Sequence, residues 1–132
     1  MPVELSVPPL SRPHVDRTVL AQIGQQMPGD PGILPRIIAS FLRASPPMFA
    51  TLRTALLAED PATVHTAAHT MKSSNAQIGA SELAAKCHEL ELLGAMGQLI
   101  DAKQLLRELE QEYQAVQLEL EQILADLAGG KW

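Results

Sequence analysis

The side chains best suited to chemistry in this 132-residue chain gather in the segment VHTAAHTMKSSNAQ, where His65, His69 and Lys72 fall within eight residues and Ser73 and Ala76 follow. At roughly 100° per residue, Val64, Ala68, Met71, Asn75 and Ile78 share one side of a helix and are expected to face a core. His69 lies instead on a second stripe with His65, Lys72, Ser73 and Ala76. Such a histidine is an exposed imidazole with low walls, open to another protein's active site rather than to a small substrate in a pocket. An imidazole is available in its neutral form near pH 7, one ring nitrogen can attack phosphorus, and a hydrogen bond to the other nitrogen holds the tautomer. Lys72, one turn on, can lie beside a transferred anionic group and offset its charge, while Ser73 and Ala76 leave room for close approach.

Simpler readings compete with this one. His69 could be an ordinary surface histidine and Lys72 a solvated charge. His65 and His69, spaced i and i+4, can present two metal ligands on one face, but no Cys-rich or acidic partner motif accompanies them, so no metal or cofactor site is expected in the chain. Cys87 and His88 are adjacent and therefore point in different directions on a helix; Cys87 lies on an apolar stripe and reads as core. With no phosphate-cradling glycine loop, metal cluster or nucleophile–base–acid set, an enzyme working alone is disfavoured. Phosphoryl transfer relies on in-line positioning and charge neutralisation, so this surface looks like half of an active site whose other half comes from a partner.

The elements that must position these residues read as helices. Residues 1–15, MPVELSVPPLSRPHV, carry four prolines and no helical period, and are expected to form a linker or arm. Behind Asp16 as a cap, Val19, Leu20 and Ile23 mark a short first helix broken by PGDPG. ILPRIIASFLRA and SPPMFATLRTALLAE form a long second element with a kink or restart expected at Pro46 and Pro47, and Ser45 is available to cap the second piece. Asp60-Pro61 starts a third helix that runs to about Ile78, where Gly79 closes it. Ser81 is placed to cap a fourth helix whose stripe, Leu83, Ala84, Cys87, Leu90 and Leu93, ends near Gly94 and Gly97. Leu105, Leu106, Leu109, Tyr113, Val116, Leu120, Ile123, Leu124 and Leu127 define a last helix from about Leu99 to Leu127. The pattern predicts an all-α fold, an antiparallel four-helix bundle over residues 16–128 with an additional short N-terminal helix, and a tail at 129–132. A coiled-coil dimer through the last helix is a competing use of its stripe.

Composition narrows the function classes. With 46% apolar residues one core is within reach, and 3% aromatics with abundant Ala, Leu, Glu and Gln favour helix over sheet. A net charge of -5 with ten scattered Lys and Arg argues against a general nucleic-acid binder. A single cysteine, no signal segment and no membrane-spanning apolar run point to the cytoplasm, with no direct membrane contact.

Residues 68–80, AHTMKSSNAQIGA, resemble the signature of histidine-containing phosphotransfer domains, in which the phosphorylated histidine is followed three residues later by lysine, then by small residues, an aliphatic residue and glycine. His69, Lys72, Ser74, Ile78, Gly79 and Ala80 match in place, and FLRASPPMFATLRTALLAED and ELAAKCHELELLGAMGQL resemble the family's flanking helices, so that the likeness covers roughly residues 16 to 127. The resemblance implies a reversible phosphoryl carrier without kinase or ATPase activity of its own, either free-standing or part of a hybrid sensor kinase. Its partners would be receiver domains whose aspartates donate and accept the group and whose bound Mg²⁺ supplies a cation. His69 would be the phosphorylated nucleophile, Lys72 the charge stabiliser, and Glu91, in a Leu-Glu element of the next helix, a residue that orients the imidazole. His65, Ser73 and Ala76 would meet the partner, with the chain a monomer. Ser73 departs from the family, which commonly has glycine after the lysine. The rival is a noncatalytic helical interaction or dimerisation module in which His69 is incidental.

Overall fold

The computed structural model describes residues 13–132, so most of the expected N-terminal arm lies outside the described residues. Five helices follow: α1 (Arg17–Gln26), α2 (Ile33–Leu57), α3 (Pro61–Gln77), α4 (Ser81–Ala95) and α5 (Leu99–Ala128). Helices α2 to α5 form the bundle, each packed on its two neighbours in a ring closed by α2 against α5, while α1 lies on α2. Three-residue loops join α2 to α3, α3 to α4 and α4 to α5, which forces antiparallel neighbours.

The first described residues are tied to the bundle. The amides of His14 and Val15 donate to the Glu119 carboxylate at 2.6 and 3.1 Å, and His14 Nδ1 lies 2.8 Å from Glu112 Oε2, both carboxylates being on α5. Val15 and Leu20 are buried in the core. The Asp16 amide then donates to the Gly79 carbonyl at 2.8 Å. Gly79 has φ +85°, and a Cβ there would stand 2.8 Å from the Asp16 carbonyl oxygen, so both conformation and space require glycine.

The capping aspartates behave as their types dictate. Asp16 accepts from the Thr18 amide and Asp60 from the Thr63 amide, with Pro61 at the first helical position. Three expectations need correction. Helix α2 does not restart: it is continuous through Pro46 and Pro47, which sit exposed on its outer side where water can satisfy the carbonyls they leave unpaired. Ser45 therefore caps nothing; it is buried inside the helix and donates back to the Phe41 carbonyl at 2.8 Å. Ser81 does not cap α4 but is its first residue, with fully buried Ala80 at the cap position, because the Gly79 turn is too tight to leave another residue outside.

The core takes Val64, Ala68, Met71, Asn75 and Ile78 from the third helix and its end, as the wheel predicts, and Leu83, Cys87 and Leu90 from α4. Asn75 Nδ2 donates to the Cys87 Sγ at 3.3 Å, which gives the buried amide a partner in an otherwise apolar layer. Leu105, Leu106, Leu109, Tyr113, Val116, Leu120 and Ile123 line α5 inside the same core. The stripe a coiled-coil dimer would need is thus spent within the bundle.

Candidate functional site

The site grows from the register between α3 and α4. Helix α4 ends at Ala95, between Gly94 and Gly97 as the sequence indicates, and Gly94 lies buried one residue inside it. A Cβ on Gly94 would stand 2.8 Å from the His65 amide nitrogen and 3.1 Å from His65 Cα. Glycine thus lets the two backbones approach closely, and because the helices run antiparallel, one turn along α3 from His65 meets one turn back along α4 from Gly94. That pairing brings His69 to Glu91.

His69 Nδ1 lies 2.7 Å from Glu91 Oε2, and Lys72 Nζ donates to Glu91 Oε1 at 2.8 Å. Glu91 is 8% exposed, whereas the His69 side chain is 59% exposed. A buried carboxylate thus anchors an imidazole that otherwise stands in solvent. The carboxylate stays ionised: the Lys72 ammonium first, and the His69 ring second, pull its pKa down to about 2 against the opposing effect of burial. An ionised acceptor next to Nδ1 selects the tautomer with the proton on Nδ1, which leaves the lone pair on Nε2, the nitrogen turned from Glu91.

The structure brings His69, Lys72 and Glu91 into one cluster, and it gives Lys72 a partner that the sequence reading did not assign. Its ammonium is bound to Glu91 and not standing free beside the imidazole. His65 is half-buried and turned toward α4, with Nδ1 3.1 Å from the Glu91 carbonyl oxygen. Ser73 and Ala76 are exposed on the same face. His88 escaped the sequence reading as a member of this group: its Nδ1 lies 3.5 Å from Glu91 Oε1, and only its i,i+3 spacing to Glu91 signalled it. The expected divergence of Cys87 and His88 holds, Cys87 buried and His88 exposed. Among the described residues, no group of three or more His, Cys, Asp or Glu side chains is assembled to hold a metal ion, and both Glu91 oxygens are already engaged.

Beside this face, a groove of about 220 Å³ runs between α2 and α3, lined chiefly by Ile37, Phe41, Ala44 and Met48 on one side and Ser74 and Gln77 on the other. No described helix is long and apolar enough to cross a membrane.

An accessible imidazole, held through one ring nitrogen on an all-helical bundle, defines a module for histidine phosphotransfer. The chain belongs to the Hpt domain family, whose model matches residues 36–126. Helix α1 and the first residues of α2 lie outside that match. The crystal structure of histidine-containing phosphotransfer protein B (HptB) from Pseudomonas aeruginosa PAO1 is similar, with 30% sequence identity and a TM-score of 0.80 over 87% of this chain and 97% of that one. No curated protein sequence matches the chain. The function that follows is histidine phosphotransfer in a phosphorelay, as a phosphocarrier rather than a kinase, with receiver domains as the partners with which Hpt proteins interact.

Proposed function

We propose that His69 is the phosphorylated residue and that Nε2 is its attacking atom. The observation that carries this is the 2.7 Å contact between His69 Nδ1 and buried Glu91, made by a histidine whose side chain is 59% exposed. Attack by the Nε2 lone pair on the phosphorus of a receiver phosphoaspartate forms the N–P bond as the P–O bond to the aspartate breaks. The imidazole ring becomes positive as the bond forms, and the Glu91 carboxylate is already in place to stabilise that charge. Lys72 has three N–H donors, so the ammonium that holds Glu91 also has donors for an incoming phosphoryl oxygen. The reverse step returns the group to a second receiver aspartate. The chain supplies nucleophile, orientation and one cation; the receiver supplies in-line alignment and its Mg²⁺.

The receiver docks over His69, with Ser73 and Ala76 as the small residues beneath it and His65 at one margin. Support comes from their shared exposed face and from the partly apolar groove between α2 and α3, which offers the modest hydrophobic patch a transient interface uses. The protein works as a monomer in the cytoplasm, a reading supported by the burial of the α5 stripe and by a lone, buried cysteine. Phosphotransfer from a panel of phosphorylated receiver domains, with His69→Gln alongside, tests the proposal. Acid-labile label on the wild type and none on the variant is the expected result; label that survives His69→Gln would overturn the assignment.

A further inference from the structure

Three histidines and a lysine converge on one residue. His69 and Lys72 hold the two Glu91 carboxylate oxygens, His65 reaches its backbone carbonyl, and His88 stands 3.5 Å from Oε1, the oxygen that Lys72 already uses. In the form that attacks, with Nε2 unprotonated, the core of this cluster is balanced: an ammonium at Lys72, a carboxylate at Glu91 and an uncharged ring at His69. Phosphorylation upsets the balance. The group adds two negative charges and the ring, keeping its proton on Nδ1, becomes positive, so the cluster carries a net negative charge of about one. His88, 3.5 Å from the Glu91 carboxylate, is a further group that can answer that charge by taking up a proton.

We infer that His88 is a positioning residue of the phosphorylated state, protonating to hold Glu91 Oε1 alongside Lys72 when that ammonium also donates to the phosphoryl group. This rests on His69 being the phosphorylated residue. The groups facing His88 are few. Glu91 lies on its own helix, Lys72 and His69 reach that same carboxylate from α3, and the neighbouring α4 cation, Lys86, is directed to Glu108 of α5 at 3.3 Å. His65 is engaged with a backbone carbonyl, so its protonation does not supply the carboxylate with a counterion. At 55% exposed, the His88 side chain is open to solvent and has room to close the remaining distance.

Linkage makes the consequence reciprocal: if a phosphoryl group on His69 favours a proton on His88, then a proton on His88 favours the phosphoryl group on His69. The share of phosphoryl held by this protein, at equilibrium with a receiver, therefore rises as pH falls through the range in which histidine titrates.

The test labels the histidines with ¹⁵N and phosphorylates the intact protein with phosphoramidate, whose N–P bond breaks as the Nε2–P bond forms and ammonia leaves. The expected result is a His88 titration curve moved to higher pH by phosphorylation, while that of His65 moves less. A companion measurement follows phosphoryl partition with a receiver between pH 6 and 8. His88→Gln, which keeps hydrogen bonding but not the charge, should lose an about threefold component of the pH dependence that His65→Gln retains, the effect of a displacement of about half a pH unit. Phosphohistidine formation with an unmoved His88 curve overturns this inference alone. Failure of His69 to become phosphorylated overturns the proposed nucleophile, and this inference with it.

Discussion

Replacing Gly94 by alanine tests whether the site depends on how closely α4 approaches α3. The added Cβ would meet the His65 amide nitrogen at 2.8 Å, with His65 Cα and Val64 Cγ1 both at 3.1 Å. Two of these three atoms are backbone and cannot rotate away, so the helices must part by about 0.5 Å to restore ordinary contact. Overpacking of this kind costs about 1–3 kcal/mol, while alanine recovers about 1 kcal/mol of helix propensity. A net loss of about 1 kcal/mol is expected, or a melting temperature lower by about 4 °C for a domain of this size. The functional effect is larger. The 2.7 Å and 2.8 Å contacts of Glu91 to His69 and Lys72 both cross this interface, and widening it by that amount takes them to the edge of hydrogen-bonding distance. Misplacement on this scale should slow phosphotransfer about tenfold. Thermal denaturation followed by circular dichroism and rapid-quench transfer from a phosphorylated receiver measure the two effects. Gly97→Ala is the control: at φ +71° with nothing within 4 Å of its Cβ, it should cost only about 1–2 kcal/mol of backbone strain and leave transfer alone. A Gly94→Ala protein that is as stable as wild type and transfers at the normal rate would refute the spacing argument.

Other perturbations address the cluster and its surroundings. Because the Glu91 carboxyl is held at about 2, below its ordinary value of 4.5, its ionised form stabilises the fold above that ordinary value and the benefit disappears as pH falls through about 2; denaturant melts of wild type and Glu91→Gln should differ at pH 6 and converge near pH 2. Glu91→Gln should also reduce phosphotransfer by roughly tenfold to a hundredfold, the scale on which loss of a carboxylate partner usually affects a functional histidine. Burial pushes the Cys87 thiol up to about 12, so at pH 8 roughly one molecule in ten thousand is thiolate, and a disulfide reagent should label the native protein only as it unfolds. Ser73→Gly removes an exposed side chain beside the imidazole at a cost of about 0.5–1 kcal/mol in helix stability, and should raise the rate of transfer with receivers that pack closely there, read by comparing rates across a receiver panel.

Where sequence reading succeeded, local rules were enough. The period of Val64, Ala68, Met71, Asn75 and Ile78 defined which face of α3 is buried, and therefore that His69 is exposed. Asp60-Pro61 and Gly79 marked the ends of that helix because capping and left-handed backbone are single-residue properties. The readings that needed correction depended on neighbours. Pro46 and Pro47 are helix breakers by type, but their tolerance follows from facing solvent on a helix held by Phe41, Phe49 and Leu52 in the core. Gly94 and Gly97 did mark the end of α4, which closes at Ala95, but the packing role of Gly94 is visible only once α3 lies across it. The bond from Lys72 to Glu91 could not be read at all, since nineteen positions separate the two and only the antiparallel register of α3 and α4 brings them together.

That register also bears on why a carrier would be built this way. A phosphocarrier must release its group as readily as it accepts it, and a site that bound phosphoryl strongly would hold the relay at this station. A lysine alone beside His69 would be such a site. With Glu91 between them, part of the ammonium's charge is already committed, and the carboxylate, close to the arriving phosphoryl, opposes its retention while favouring the positive ring that forms on attack. One buried acid thus promotes bond formation at Nε2 and limits how firmly the product is held. The strong neutralisation that transfer requires is left to the receiver, present only while the two proteins are docked. On the proposed roles, the rate of transfer is set in the complex and the balance between the two proteins in the α3–α4 cluster, which separates partner specificity from phosphoryl affinity and assigns them to different residues.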